Sequence, residues 1–187
     1  MEIFDIVDEE GNPTGETVTR DEAHRDGIRH RTAHIWIIRR SDTGYDILMQ
    51  KRSLNKDSFP GQFDTSSAGH IIAGDEPVAS GIRELYEELG IEATEAELEF
   101  IGTFEIRYEK EFHGRMFKDN EKAFVYIYEK EIDADSLTLQ TEEVECVEWF
   151  DLDNVCRECD AHNRKFCVPR DSLRLLKKVL DGREGKR

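Results

Sequence analysis

Apolar and polar residues alternate through MEIFDIVD (1–8), the period of a half-buried strand, and the Gly, Asn and Pro of EEGNPTG mark a turn. Thr19 is placed to cap a short helix over TRDEAHRDG that closes at Gly27. Two apolar runs, AHIWIIRR (33–40) and YDILMQKR (45–52), read as strands joined by the hairpin loop SDTG. After the irregular SLNKDSFPGQ, the stretch FDTSSAGHII is extendable up to Gly74. A helix then begins at Pro77, with Asp75 or Glu76 near its cap and Gly90 as its stop. Its apolar face is Ile82, Leu85, Tyr86 and Leu89, leaving Glu84, Glu87 and Glu88 on a partly exposed side. ELEFIGTFEIRYEK (97–110) and KAFVYIYEKEI (122–132) are strand-like, separated by a polar loop around FHGRMFKDN. VECVEWFDL is a further strand, the segment after WFDLDN a helix, and SLRLLKKVL an amphipathic closing helix. Strands with a few interspersed helices predict an α/β fold in which a mixed sheet packs between helices.

Composition narrows the classes. With 187 residues, 37% hydrophobic and 36% charged, the chain reads as globular, and one domain over 1–187 is expected. Within it the core spans 31–150, the N-terminal strand and helix 1–30, and the C-terminal helices 151–187. No apolar run approaches the roughly 18 residues of a membrane span. The start lacks the basic and apolar regions of a signal peptide, so a cytoplasmic location is expected. A net charge of −16 argues against a nucleic-acid polymer or an anionic membrane as partner. Two basic islands stand out, HRDGIRHRTAH (24–34) with Arg31, and QKRSLNK (50–56) with Lys51 and Arg52, suited to a small anionic ligand. Cys156, Cys159, His162 and Cys167 form a candidate zinc set, but with no second Cys-x-x-Cys, free thiols are the better reading.

The helix crowds its own charge. Glu84, Glu87 and Glu88 lie three and four residues apart on one face, where like charges cost roughly 0.2–0.5 kcal/mol per pair. Such a cluster is either a solvated surface or an oxygen-rich site for a hard divalent cation, Mg²⁺ or Mn²⁺. Arg83 is spaced to hold Glu87 in a charge-assisted pair.

The wider stretch GHIIAGDEPVASGIRELYEELGI (69–91) resembles the Nudix box: Gly69, Arg83, Glu84, Leu85, Glu87, Glu88, Gly90 and Ile91 stand at the family's spacing, with Asp75 in place of a glutamate. The resemblance implies an α/β/α sandwich and metal-dependent hydrolysis of a small-molecule diphosphate. It assigns the cation to Glu84, Glu87, Glu88 and Gly69, and the water-activating base to Glu88 or a loop glutamate, for which Glu142 or Glu143 in TEEVECVEWF is the counterpart. Arg52, Lys51, Arg31 and His70 are then the substrate-binding candidates, and a homodimer is compatible with the family. Over residues 1–150 the chain looks closest to the branch containing isopentenyl diphosphate isomerase. There, histidines matching His24 and His30, and one near His70, help bind metal, and a glutamate matching Glu121 is catalytic. That isomerase needs a cysteine where this chain has DTSSAGH, with Ser66 and Ser67 and no thiol. A hydroxyl is far too weak an acid for the same task. Hydrolysis is therefore expected, with isomerisation or ligand binding without catalysis as the alternatives. His34, inside an apolar strand, is read as a packed residue, while Trp36, Phe59 and Tyr108 are candidates for stacking on an organic group. No motif specifies that group.

Overall fold

The computed structural model describes residues 2–184. β1 (Ile3–Val7) pairs antiparallel with β2 (Pro13–Thr19), and α1 (Arg20–Asp26) follows at once. Thr19 and Glu22 form a reciprocal capping box, and Gly27 ends α1 in the left-handed region. β2 was not expected: residues 13–15 of the presumed turn join the ribbon, with Pro13 opposite Val7. Proline is tolerated there because it opens an edge strand and has no ladder bond to lose.

The central sheet contains β3 (His30–Ser41), β4 (Gly44–Arg52), β5 (Phe63–Asp64), β6 (Ser67–His70), β7 (Glu99–Phe112), β8 (Arg115–Glu129) and β9 (Val144–Asp151). Its order is β5-β4-β3-β8-β7, with β6 also beside β3 and β9 beside β4. β3 and β8 are parallel and the other pairs antiparallel, so the sheet is mixed. On one face α2 (Pro77–Leu89) packs Leu85 and Leu89 against Ile35, Ile37, Leu48 and Tyr126. On the other, α3 (Leu152–Asp160) and α4 (Arg170–Glu184) set Val155, Leu176 and Leu180 against Trp36, Ile38, Ile47 and Met49. Alternate residues of β3 enter opposite cores, which is why its sequence is an unbroken apolar run. The result is the expected α/β/α sandwich.

Two expectations fail in detail. The polar segment 112–120 is not a loop: β7 and β8 stay paired out to Phe112 opposite Arg115, and only His113 and Gly114 turn. Ladder bonds come from the backbone, so a solvated hairpin needs no apolar signal. On α2 the buried stripe is Leu85, Glu88 and Leu89, whereas Tyr86 is 59% exposed and Glu88 only 4%. Glu88 leaves the solvent because the sheet opens beside it.

That opening comes from a change of partner along β3. Residues 32–35 pair with β6 and residues 37–41 with β4, on the same edge. Where the two partners diverge, the buried Ser66 hydroxyl accepts from the Ile37 amide at 2.8 Å and donates to the Leu48 carbonyl. One side chain thus satisfies two backbone groups that the split removes from the ladder. Ser66→Ala would leave both buried and unpaired, and should cost about 1–3 kcal/mol in urea unfolding; a loss below about 0.5 kcal/mol would contradict this bridging role.

Candidate active site

A cavity of about 330 Å³ opens at the split, lined by the α2 glutamates and by His24, His34 and His70. Pro77 at the first turn and Gly90 in the left-handed conformation fix the ends of α2. Glu88 enters the split, where its Oε2 accepts from Ser67 Oγ (2.7 Å), Gln50 Nε2 (3.2 Å) and the Ala68 amide (3.3 Å). Burial pushes its carboxyl up to about 7 despite these donors. Burial, then the charge of Glu88, raises Glu84 to about 8. Gly69 makes the approach of Glu84 feasible, since a Cβ there would lie 2.1 Å from the Glu84 carboxyl carbon. Arg83 reaches Glu84 Oε1 and the His70 carbonyl, each at 3.0 Å. Its expected partner Glu87 is farther away at 3.5 Å, so Arg83 chiefly orients Glu84 and the strand that carries Gly69.

A second cluster lies across β6. His24 of α1, His30 of β3, His70 of β6 and Glu121 of β8 each place one donor atom within 4.8 Å of the others. The parallel register sets His30 opposite Glu121, and the antiparallel register sets Thr32 opposite His70. Thr32 donates to Glu121 Oε2 at 3.1 Å, while Oε1 stands 3.6 Å from His30 Nε2 and 3.5 Å from His70 Nε2. The last two distances are long for hydrogen bonds. His30 Nδ1 donates to the Ile28 carbonyl at 2.9 Å, leaving Nε2 as the lone-pair nitrogen. Phe4 stacks on His30 and on His70, with ring centres at 4.9 and 4.6 Å, and fixes both ring planes. Burial and the neighbouring imidazoles lower His24 to about 3, so it is neutral, and burial together with Glu121 raises Asp119, 3.8 Å from His24, to about 9.

Among the described residues the histidine group is the one whose donor atoms converge as a cation requires, within 4.8 Å of one another, whereas Glu84, Glu87 and Glu88 are not drawn together so closely. His30 Nε2, which faces Glu121, is buried without a hydrogen-bond partner, a cost that metal coordination would remove, and His24 turns its Nε2 to within 3.1 Å of His70 Nε2. Donors about 2.1 Å from a common ion stand about 3 Å apart, close to the spacings seen. At the helix, the raised carboxyl pKa values reflect burial first and, for Glu84, the charge of Glu88 second, a cost that a divalent ion held there would reduce.

The other candidates divide. Arg52 lines the cavity, but Asp64 (3.1 Å) and the carbonyl and hydroxyl of Ser58 (2.9 and 3.0 Å) occupy its guanidinium. Lys56 and Glu143 form an ion pair at the rim, next to Glu142. Lys51 lies outside, paired with Glu145 at 2.8 Å, as does Arg31, held by Asp5 at 2.9 Å. Phe59 and Tyr108 line the cavity with ring centres 5.7 Å apart, whereas Trp36 is core. Among the described residues the C-terminal cysteines form no ligand group: all four are free, and His162 contacts Arg170. Sequence reasoning overlooked Asp119 and Phe4. Cys167, weighed in the sequence only as a zinc ligand or free thiol, lines the cavity from the chain beyond α3, its thiol 3.5 Å from the Phe63 carbonyl.

A family model described as the NUDIX domain matches residues 28–169. Over 159 residues, 85% of this chain and 74% of the relative, the sequence is 40% identical to an uncharacterized Nudix hydrolase of Clostridium acetobutylicum. It is 26% identical to an isopentenyl-diphosphate Delta-isomerase of Aliivibrio fischeri, with 87% of each chain covered. Among solved structures, a protein of Deinococcus radiodurans superposes with a TM-score of 0.65 at 17% identity, over 86% of this chain and 90% of that one, a likeness of fold. Phe4 and His24 precede the matched region, so the N-terminal ribbon and α1 complete the histidine cluster from outside it.

The pH dependence of cation binding follows from the raised carboxyls. Glu84 and Glu88 hold protons more tightly folded than unfolded, so their contribution to the stability of the metal-free protein is lost as pH rises from about 4.5 towards 8. A cation must displace those protons. The gain in melting temperature on adding Mn²⁺ should therefore increase from about pH 6 to about pH 8.5. That increase should flatten in the Glu84→Gln, Glu88→Gln double variant; a gain independent of pH in the wild type would contradict the assignment.

Proposed function

Because the chain belongs to the Nudix hydrolase family, we propose that its cavity hydrolyses the diphosphate linkage of a small organic substrate, with Mg²⁺ or Mn²⁺ held by Glu84, Glu87 and Glu88 beside Gly69. The observation that carries this reading is the burial of Glu88 within the sheet split, with its carboxyl raised to about 7. A solvated charge face would not bury one glutamate and crowd a second against it. A divalent cation supplies phosphoryl polarisation, a lowered pKa for attacking water and charge neutralisation on the departing phosphate.

The protein's own groups have separate tasks. Glu88 is the preferred base: its donors Ser67, Gln50 and the Ala68 amide all bond Oε2, which fixes the carboxylate and directs Oε1 to take the water proton. Glu143 at the rim is the other candidate, though its pairing with Lys56 ties up part of its charge. Water forms a bond to phosphorus, the bridging P–O bond breaks with its electron pair leaving on the departing oxygen, and the water proton passes to the carboxylate. Arg83 positions Glu84 by its 3.0 Å contact. Lys56 and Arg52, close enough to act on the Glu88 carboxyl, supply positive potential within the cavity. Thr32 and Phe4 orient the histidine cluster, which we assign to a second cation beside the first.

One observation favours a second reading. Cys167 lines the cavity, and burial keeps its thiol protonated by raising its pKa well above the usual range. The acid missing from DTSSAGH could therefore come from elsewhere in the chain for an allylic proton transfer. Product analysis separates the two, because hydrolysis releases phosphate and isomerisation conserves the diphosphate.

Glu87→Gln and Glu88→Gln should each lower metal-dependent phosphate release by at least about 100-fold, with unfolding midpoints little changed. Retained turnover in both, or an isomerised prenyl diphosphate without phosphate release, would overturn the proposal.

A further inference from the structure

Helix α2, which carries the glutamates, has no cap of its own. Glu76 stands at its N-cap without a side-chain bond to the first turn, and that turn holds no acidic side chain. The first amides of a helix have no partner within it, so such a start has little local means of fixing its direction. Glu84 follows Pro77 by about two turns. Its position therefore depends on the chain that leads into the helix, residues 71–76, which leaves β6 directly after His70.

That loop is held from β1 and β3. The Ile71 amide donates to the Arg31 carbonyl at 3.0 Å and the Ala73 amide to the Ile3 carbonyl at 2.8 Å. The Gly74 amide donates to Asp5 Oδ2 at 2.9 Å. The same oxygen accepts from Arg31 Nη2 at 2.9 Å, and that nitrogen also donates to the Asp75 carbonyl at 3.3 Å. The Asp5 and Arg31 side chains are 13% and 8% exposed, so the pair is screened far less than one on the surface. Gly74 has φ of +85°, a left-handed conformation in which a larger residue would be strained. Asp75, which stands where the box has a glutamate, contributes only its backbone: among the described residues its carboxylate has no hydrogen-bond or ion-pair partner. Arg31, a substrate candidate on sequence grounds, is committed to this loop instead.

We infer that Asp5 is a positioning residue for the α2 cation: by binding Gly74 and, through Arg31, Asp75, it fixes the start of the helix that carries Glu84, Glu87 and Glu88. This rests on the assignment of a cation to those glutamates. Gly69 precedes the held loop and Glu84 follows it, and the two meet so closely that a Cβ on Gly69 would lie 2.1 Å from the Glu84 carboxyl carbon. A shift of about 1 Å between them would disturb the fit. Asp5 lies before residues 28–169, the region matched by the family model, so the box does not supply its own anchor.

The test is the affinity for the Mn²⁺ ion that Glu88→Gln removes, measured by electron paramagnetic resonance in wild type, Asp5→Ala and Asp5→Asn. The titrations are run at a temperature where unfolding curves show every protein fully folded, and hydrogen exchange of the Gly74 amide is followed in the metal-free proteins. Asp5→Ala should weaken the ion by at least about 10-fold and speed Gly74 exchange by a similar factor. Asp5→Asn, whose amide oxygen can accept from both Gly74 and Arg31, should recover most of each. An unchanged affinity in Asp5→Ala would overturn the inference, even with faster exchange. Equal losses in Asp5→Ala and Asp5→Asn would also overturn it, since the charge of Asp5 and not its bond to the loop would then be what matters. Wild-type protein that binds Mn²⁺ but releases no phosphate from any diphosphate would fail the hydrolase reading alone, while the affinity ratios still decide the role of Asp5.

Discussion

The exchange of partners along one edge of β3 governs this molecule. If β6 and β4 formed one continuous neighbour, the sheet would be closed and Glu88 would have nowhere to go. Because they diverge, a slot opens whose walls are backbone and short polar side chains, and Ser66 restores the bonds lost at the fork. Glu88 fills the slot, held by Ser67, Gln50 and the Ala68 amide. The helix is anchored on the apolar core through Leu85 and Leu89, so the carboxylate is pressed inward by packing it does not itself provide. The stored electrostatic cost is what a cation would relieve.

Strand β6 divides the chemistry. From this one short segment Gly69 admits Glu84, the His70 carbonyl receives Arg83, and the His70 ring joins His24, His30 and Glu121. A displacement of β6 would disturb both groups together. The N-terminal ribbon contributes by stacking Phe4 on two imidazoles, so residues remote in sequence from the box control the geometry of the second cluster. Basic groups are more constrained than charge counting suggests: Arg52 is part of the cavity wall, committed to Asp64 and Ser58, and Arg31 stands outside it, held by Asp5.

Much of this was legible in the chain. Pro77, Gly90 and the three-and-four spacing of the glutamates gave the helix and its charged face, and the apolar runs gave β3 and β4. The depth of Glu88 was not legible, because it depends on where β6 leaves β4, and short polar strands carry no periodic signal. The β7–β8 hairpin was cut short because its outer residues are mostly charged and solvated, with Phe112, Met116 and Phe117 too scattered to mark a buried face. The partners of Arg83 could not be read from helical spacing alone, since the His70 carbonyl competes with Glu87 and only the tertiary fold brings it near. His34, read as a packed residue from its apolar neighbours Ile35 and Trp36, is buried against Phe104 and also borders the cavity.

The central claim is that two adjacent groups in one cleft each hold a cation, one on the α2 glutamates and one on the histidine cluster. Titration of the metal-free protein with Mn²⁺, followed by electron paramagnetic resonance and elemental analysis, tests it most directly. The account predicts two bound ions in the wild type, with Glu88→Gln and His30→Gln each abolishing a different one. A single ion lost in both variants, or an unchanged count in either, would contradict it.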